Sequence, residues 1–194
     1  MLYGVGYVGE KNQQKMLYNK LLNDLKTFNS KSIIIAIDGV AGSGKTTLAA
    51  RLATDLIECE IVHMDDLYAG WNNPFSDDLN YRIIKQIFIP FCKMIEISYQ
   101  KYNWESKTFD STVLLKRKKY LIIEGVGAAQ RAFHKYINKI IWIEFDADLG
   151  FERVLKRDGE ILRDQMTNFL IDQAKLFESE VPNIYADYIF EGAP

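Results

Sequence analysis

Eight consecutive residues hold the most specific chemistry in this chain: Gly39-Val40-Ala41-Gly42-Ser43-Gly44-Lys45-Thr46. They fit the pattern G-x-x-x-x-G-K-[ST] at every required position. Phosphate oxygens need several backbone N–H groups converging on them, and only glycine lets the chain curl that tightly without Cβ clashes. The helix that follows adds its free N-terminal N–H groups and the positive end of its dipole. In such a loop Lys45 reaches the β- and γ-phosphates, the Thr46 hydroxyl ligates Mg²⁺, and Thr47 continues the first helical turn. Residues 39–47 are therefore predicted to bind a nucleoside triphosphate.

Three further sets of side chains could act on that triphosphate. Asp65 and Asp66 form an acidic pair, and a carboxylate beside the γ-phosphate can accept a hydroxyl proton as the bond to phosphorus forms. Either could instead cap a turn, and Asp66 could hold Mg²⁺ through water. Glu124 is suited to the metal, or to an ion pair with a nearby cation. Arg153 and Arg157 lie four apart on one helix face, where guanidinium forks can close over phosphates as a lid; ordinary surface arginines are the plain alternative, and Arg163 is a weaker candidate. Tyr68, Trp71 and Trp104 could stack on a ring of the substrate or simply fill the core.

Particular elements must deliver these residues. Ile33–Ile37 is a β-branched run that reads as a buried strand, and a helix follows the glycine-rich loop over Lys45–Leu56. Glu60–Met64 reads as a second strand that brings Asp65-Asp66-Leu67-Tyr68 to its C-terminal end, the edge where open α/β sheets bind ligands. After a loop over Ala69–Ser76, helices are predicted at Asp77–Ile89 and Phe91–Tyr99, with Pro90 breaking or kinking the chain between them. Tyr102-Asn103-Trp104 reads as irregular, and Lys116–Lys119 as a solvated lead-in to a third strand, Tyr120–Ile123, that ends at Glu124-Gly125.

A helix over Val126–Tyr136 leads to a fourth strand at Ile140–Phe145. Asp148 is predicted to cap a helix running to Arg157, and Asp158-Gly159 breaks it. Leu162, Met166, Phe169, Gln173 and Phe177 mark one face of the next helix, and Ala186–Phe190 is a fifth strand. Asn12–Phe28 is an amphipathic helix. The literal G-x-G-x-x-G at Gly4–Gly9 has no strand before it and reads as a terminal segment rather than a dinucleotide site. The prediction is an α/β fold: a five-stranded parallel sheet with helices on both faces. It forms one domain over residues 1–194, with an N-terminal helical extension at 1–30 and a lid at roughly 150–165.

Composition narrows the partners. The 194 residues carry a net charge of −2, which gives no electrostatic case for nucleic acid or a membrane surface. Two cysteines without a CxxC pattern, and no secretory or membrane-spanning stretch, point to a reducing, cytoplasmic setting. His63 and His134 are too isolated for a zinc site. A guanine-reading N-K-x-D is missing: Asn138-Lys139-Ile140-Ile141 lacks the aspartate and precedes a strand. Small-molecule kinases remain, built from a phosphate loop, an acceptor site and an arginine-bearing lid.

The chain resembles the uridine kinase/phosphoribulokinase-like branch of P-loop kinases, above all its small uridine kinase-like ATP-binding proteins. The matching segments are IDGVAGSGKTTLA at 37–49, HMDDLYAGW at 63–71, YNW at 102–104, LIIEGVGA at 121–128 and FERVLKRDG at 151–159. The resemblance implies a P-loop nucleoside/nucleotide kinase-like fold that uses ATP and Mg²⁺ to phosphorylate a hydroxyl of a small metabolite, most plausibly a nucleoside. It sets Asp65 in the aspartate position of D-x-[FL]-Y, implied to be the base, and places Glu124 near the metal. Asp66, Tyr68, Trp71, Tyr102 and Trp104 are then the acceptor-side residues. It leaves room for a homo-oligomer. Asn103 departs from the branch's Y-D-F, keeping hydrogen bonding to a ribose but not charge. A nucleoside-monophosphate kinase is the first alternative, although Arg82 is the lone arginine between Arg51 and Arg117. A nucleotide-binding regulatory protein with little turnover is the second.

Overall fold

The structure, a computed structural model, describes residues 5–192. Helix α1 (Val5–Thr27) opens the described chain, followed by strand β1 (Ile33–Gly39), helix α2 (Lys45–Leu56) and strand β2 (Cys59–His63). Gly4 of the terminal glycine motif lies outside the described residues, and Gly6 and Gly9 fall within α1, which starts earlier than its apolar spacing predicts. Every residue of β1 is buried. Its alternating side chains explain why: Ile33, Ile35 and Ile37 pack with Leu21 and Leu25 of α1 and Leu48 and Leu52 of α2, whereas Ile34 and Ala36 face the opposite core.

That opposite core is built by helix α3 (Asp77–Ile83), helix α4 (Ile89–Cys92), helix α5 (Ala147–Asp158) and helix α6 (Arg163–Glu180). Between α3 and α4 the chain widens into a π-turn over Ile84–Phe88. Helical geometry therefore runs on past Pro90 rather than breaking there, with the proline near the start of α4, where its missing N–H costs little. The predicted helix over Phe91–Tyr99 is replaced. After Met94, at φ +59°, strand β3 (Ile97–Asn103) pairs antiparallel with β4 (Thr108–Leu115). Ile97 and Tyr99 are buried while Ser98 and Gln100 are exposed, a period of two that forms a sheet face. Tyr102 and Asn103 are thus on a strand rather than in irregular structure.

Strands β5 (Tyr120–Glu124), β6 (Lys139–Glu144) and β7 (Tyr188–Glu191) complete a five-stranded parallel sheet in the order β2-β5-β1-β6-β7. The predicted helix over Val126–Tyr136 is instead a series of turns with a short 3₁₀ segment at Arg131–Phe133. Gly127 sits at φ +78°, and the Asp38 carboxylate takes the N–H groups of Gly127 and Ala129 that helix bonds would need. The N-cap of α5 is Asp146, which accepts from Leu149 N–H at 2.8 Å; Asp148 belongs to the first turn. No described helix is long and apolar enough to cross a membrane.

Candidate active site

The parallel register assembles the site. Ile37 of β1 and His63 of β2 both pair with Glu124 of β5, so β2 and β5 end at one level and β1 runs two residues further, to Gly39. The glycine-rich loop leaves β1 there and feeds directly into α2. Gly44, at φ +97°, precedes that helix and offers no side-chain cap, so the first N–H groups of α2 stay open to a ligand. Gly42 turns at φ +75°, and a Cβ there would stand 2.2 Å from the Gly150 carbonyl oxygen of α5. The loop is thereby packed against the start of α5. Gln173, buried on α6, fixes it from another side by accepting the Ala41 N–H at 2.9 Å.

Lys45 is folded into its own loop, with Nζ donating to the Gly39 and Val40 carbonyls at 2.9 and 2.7 Å. Burial pulls its ammonium below the ordinary lysine range, while Asp38, Glu124 and Asp65 oppose the shift. Thr46 donates its hydroxyl proton to Glu124 Oε1 at 3.0 Å, and His63 Nδ1 lies 2.5 Å from the same oxygen. Glu124 is only 4% exposed. Ser43 is buried, and its hydroxyl finds no partner among the described residues.

Asp65 lies in the 3₁₀ turn Met64–Asp66 directly after β2 and opens onto the cavity. Crowding by protein, then the charge of Glu124, push its carboxyl above the ordinary aspartate value. The two aspartates part company here: Asp66 is engaged by Lys101 of β3 at 2.8 Å and does not line the cavity. Trp104 reaches back from the β3–β4 turn, donating Nε1–H to the Asp65 carbonyl at 3.1 Å and packing against Trp71 with ring centroids 4.8 Å apart.

These groups surround one cavity of about 490 Å³. Ala41, Gly42, Gly44, Lys45, Thr46 and Thr47 line it on the loop side; Gly39, Val40 and Ser43 of the predicted phosphate loop are not in the lining. Tyr68, Trp71, Trp104 and Phe169 make an aromatic wall, with the Tyr68 hydroxyl committed to the Val126 carbonyl at 2.7 Å. Tyr102 is not in the lining. It is buried behind the wall, edge-on to Trp104 and Phe109. Asn103 makes no approach either: its side-chain oxygen accepts from Glu105 and Ser106 N–H, and its amide donates to Asp110, so it builds the hairpin turn.

No family model matches the chain. In sequence it is 25% identical over 160 residues to a uridine kinase of Macrococcus caseolyticus, covering 74% of this chain and 77% of that protein. It is 22% identical to a uridine kinase of Limosilactobacillus reuteri, covering 83% of this chain and 84% of the other. Among solved structures, one described as a possible uridine kinase from Bacillus stearothermophilus superposes with a TM-score of 0.67 at 19% identity, over 92% of this chain and all of that one. Together with the phosphate loop and its cavity, these likenesses decide the class. The chain is a small-molecule kinase with the P-loop fold.

Both helix arginines of this kinase line the cavity beside the loop. Arg153 stacks over the Phe145 ring at 4.0 Å and lies 3.4 Å from the Gly42 carbonyl oxygen. Arg157 forms a two-pronged pair with Asp158, at 2.6 and 2.7 Å. Arg163 pairs with Glu160 and stays outside the lining. Four residues of the site escape the motif reading: Asp38, His63, Gly150 and Gln173. His63 stands two positions before Asp65 and could have been found by its place at a strand end. The others act across more than 80 positions of sequence, and no local spacing reveals them.

Proposed function

We propose that this kinase transfers the γ-phosphoryl group of ATP, with Mg²⁺, to a hydroxyl of a small uncharged metabolite, a nucleoside before other candidates. The observation that carries the reading is the meeting of Lys45, Thr46, Glu124 and Asp65 around one cavity with an aromatic wall. The residues fit a triphosphate: open N–H groups at the start of α2, a lysine at the loop and two arginines at the rim. They also fit Mg²⁺, a hard cation that takes one or two protein oxygens and keeps waters and phosphate oxygens for the rest. Thr46 Oγ1 and the Glu124 carboxylate are those oxygens. When bound there, the cation would supply positive charge against the negative charge of the phosphate groups.

Asp65 holds the acceptor hydroxyl and takes its proton as the oxygen bonds to phosphorus and the bond to the departing ADP breaks. Its raised proton affinity suits it to that task. Arg153 and Arg157 act from the lid on the equatorial oxygens, strengthening as charge develops. Trp71 and Trp104 present flat apolar surface for a ring. A phosphate-bearing acceptor is disfavoured by Arg82, whose guanidinium donates to the Leu67 carbonyl at 2.7 Å and covers Phe109. A panel of nucleosides, nucleoside monophosphates and other hydroxyl metabolites, read by acceptor-dependent ADP release, tests the proposal. Release that rises with a nucleoside supports it. Slow hydrolysis indifferent to every acceptor would overturn it in favour of a nucleotide-binding regulator.

A further inference from the structure

We infer that His63 is the positioning residue of the metal centre, holding the Glu124 carboxylate so that one of its oxygens is left for the cation. The inference rests on the proposed metal role of Glu124 and adds a residue to it. Parallel pairing of β2 with β5 sets His63 and Glu124 side by side at the strand ends, and backbone register alone brings them together. A carboxylate only accepts, so the ring nitrogen 2.5 Å away is the N–H donor, which fixes Nδ1 as the protonated position.

Both His63 Nδ1 and Thr46 Oγ1 converge on Oε1. Among the described residues Oε2 takes no hydrogen bond, although Glu124 is almost wholly buried. A buried carboxylate with one oxygen doubly held and the other open is aimed, whereas one held at neither oxygen would rotate. Thr46 adds to this: a hydroxyl that gives its proton to Glu124 keeps its lone pairs for a cation. Residues that hold a metal-binding side chain in place from behind are commonly worth 10–100-fold in metal affinity. His63 is half-buried, so solvent reaches it and the ring has room to leave once its partner is lost.

The test is Mn²⁺ binding, followed by electron paramagnetic resonance, to protein saturated with a non-hydrolysable ATP analogue. Wild type is compared with His63→Ala, His63→Asn and Glu124→Gln. Asparagine keeps an N–H donor close to the Nδ1 position. We expect His63→Ala to weaken Mn²⁺ binding about tenfold or more, and Glu124→Gln to weaken it at least as much. His63→Asn should recover most of the loss. Analogue affinity in EDTA, read from Trp71 and Trp104 fluorescence, should stay within about twofold of wild type in both His63 variants, which excludes general damage to the fold. If Glu124→Gln weakens Mn²⁺ binding and His63→Ala does not, the role of His63 is overturned and that of Glu124 survives. If Glu124→Gln binds Mn²⁺ like wild type, both fall. Failure of His63→Asn to rescue His63→Ala overturns the hydrogen-bond account.

Discussion

At the scale of single residues, the two neighbouring aspartates make the sharpest comparison. Asp65 faces the cavity, whereas Asp66 is tied to Lys101 and holds the β3–β4 hairpin against the turn after β2. Asp65→Asn keeps the shape and removes the proposed proton acceptor. Acceptor phosphorylation should fall by about 10²–10⁴-fold while ATP still binds, because a kinase base mostly orients a nucleophile whose proton leaves late. Asp66→Asn should cost far less, through a looser hairpin. Single-turnover phosphorylation in both variants, beside ATP affinity, checks this; a larger loss in Asp66→Asn would move the base by one position. The loop itself was legible from sequence because phosphate binding demands glycine and lysine at fixed spacing. The division of labour between Asp65 and Asp66 was not, since it depends on a lysine 35 positions away.

At the scale of elements, α5 does more than bring Arg153 and Arg157 to the cavity. Gly150 in its first turn touches the phosphate loop: a Cβ there would lie 2.2 Å from the Ala41 carbonyl oxygen. Both sides of that contact are backbone, so neither can yield cheaply. Gly150→Ala should therefore push the loop out of register and weaken nucleotide binding by roughly tenfold to a hundredfold, the size of one lost hydrogen bond to a charged group at about 1.5–3 kcal/mol. Titration with a fluorescent nucleotide measures it; unchanged affinity would show that α5 shifts instead. The same scale explains what sequence patterns missed. The strands of the parallel sheet announce themselves as apolar runs, but β3 was hidden because Phe91, Ile95 and Tyr99 also fit helical spacing. The turns after β5 were hidden because Val126–Tyr136 looks helical until Asp38 takes two of its N–H groups.

On the scale of the whole molecule, Asp38 joins the two halves of the ligand-binding edge. It is the last residue but one of β1, is 1% exposed, and accepts N–H bonds from Gly39 at 2.7 Å, Gly127 at 3.0 Å and Ala129 at 2.9 Å. Those amides and Lys45 favour the charged form, but burial outweighs them and pushes the carboxyl up to about 6 from an ordinary 3.8. A folded-state value above the unfolded one means that the native protein holds the proton longer. The stabilisation linked to Asp38 is thus complete below the unfolded value and is lost as pH rises through about 6. Between pH 4.5 and 7.5 that loss amounts to about 2 kcal/mol, taking 1.36 kcal/mol per unit. Other carboxylates titrate in the same range, so wild type alone cannot isolate it. Urea unfolding of wild type and Asp38→Asn across that range can: the amide does not titrate, and the N–H facing its NH₂ group costs the variant the same at each pH. The stability advantage of wild type over Asp38→Asn should shrink by about 2 kcal/mol from pH 4.5 to 7.5. An advantage that stays constant would mean that Asp38 is already ionised in the native state at pH 4.5, with its three amides outweighing burial.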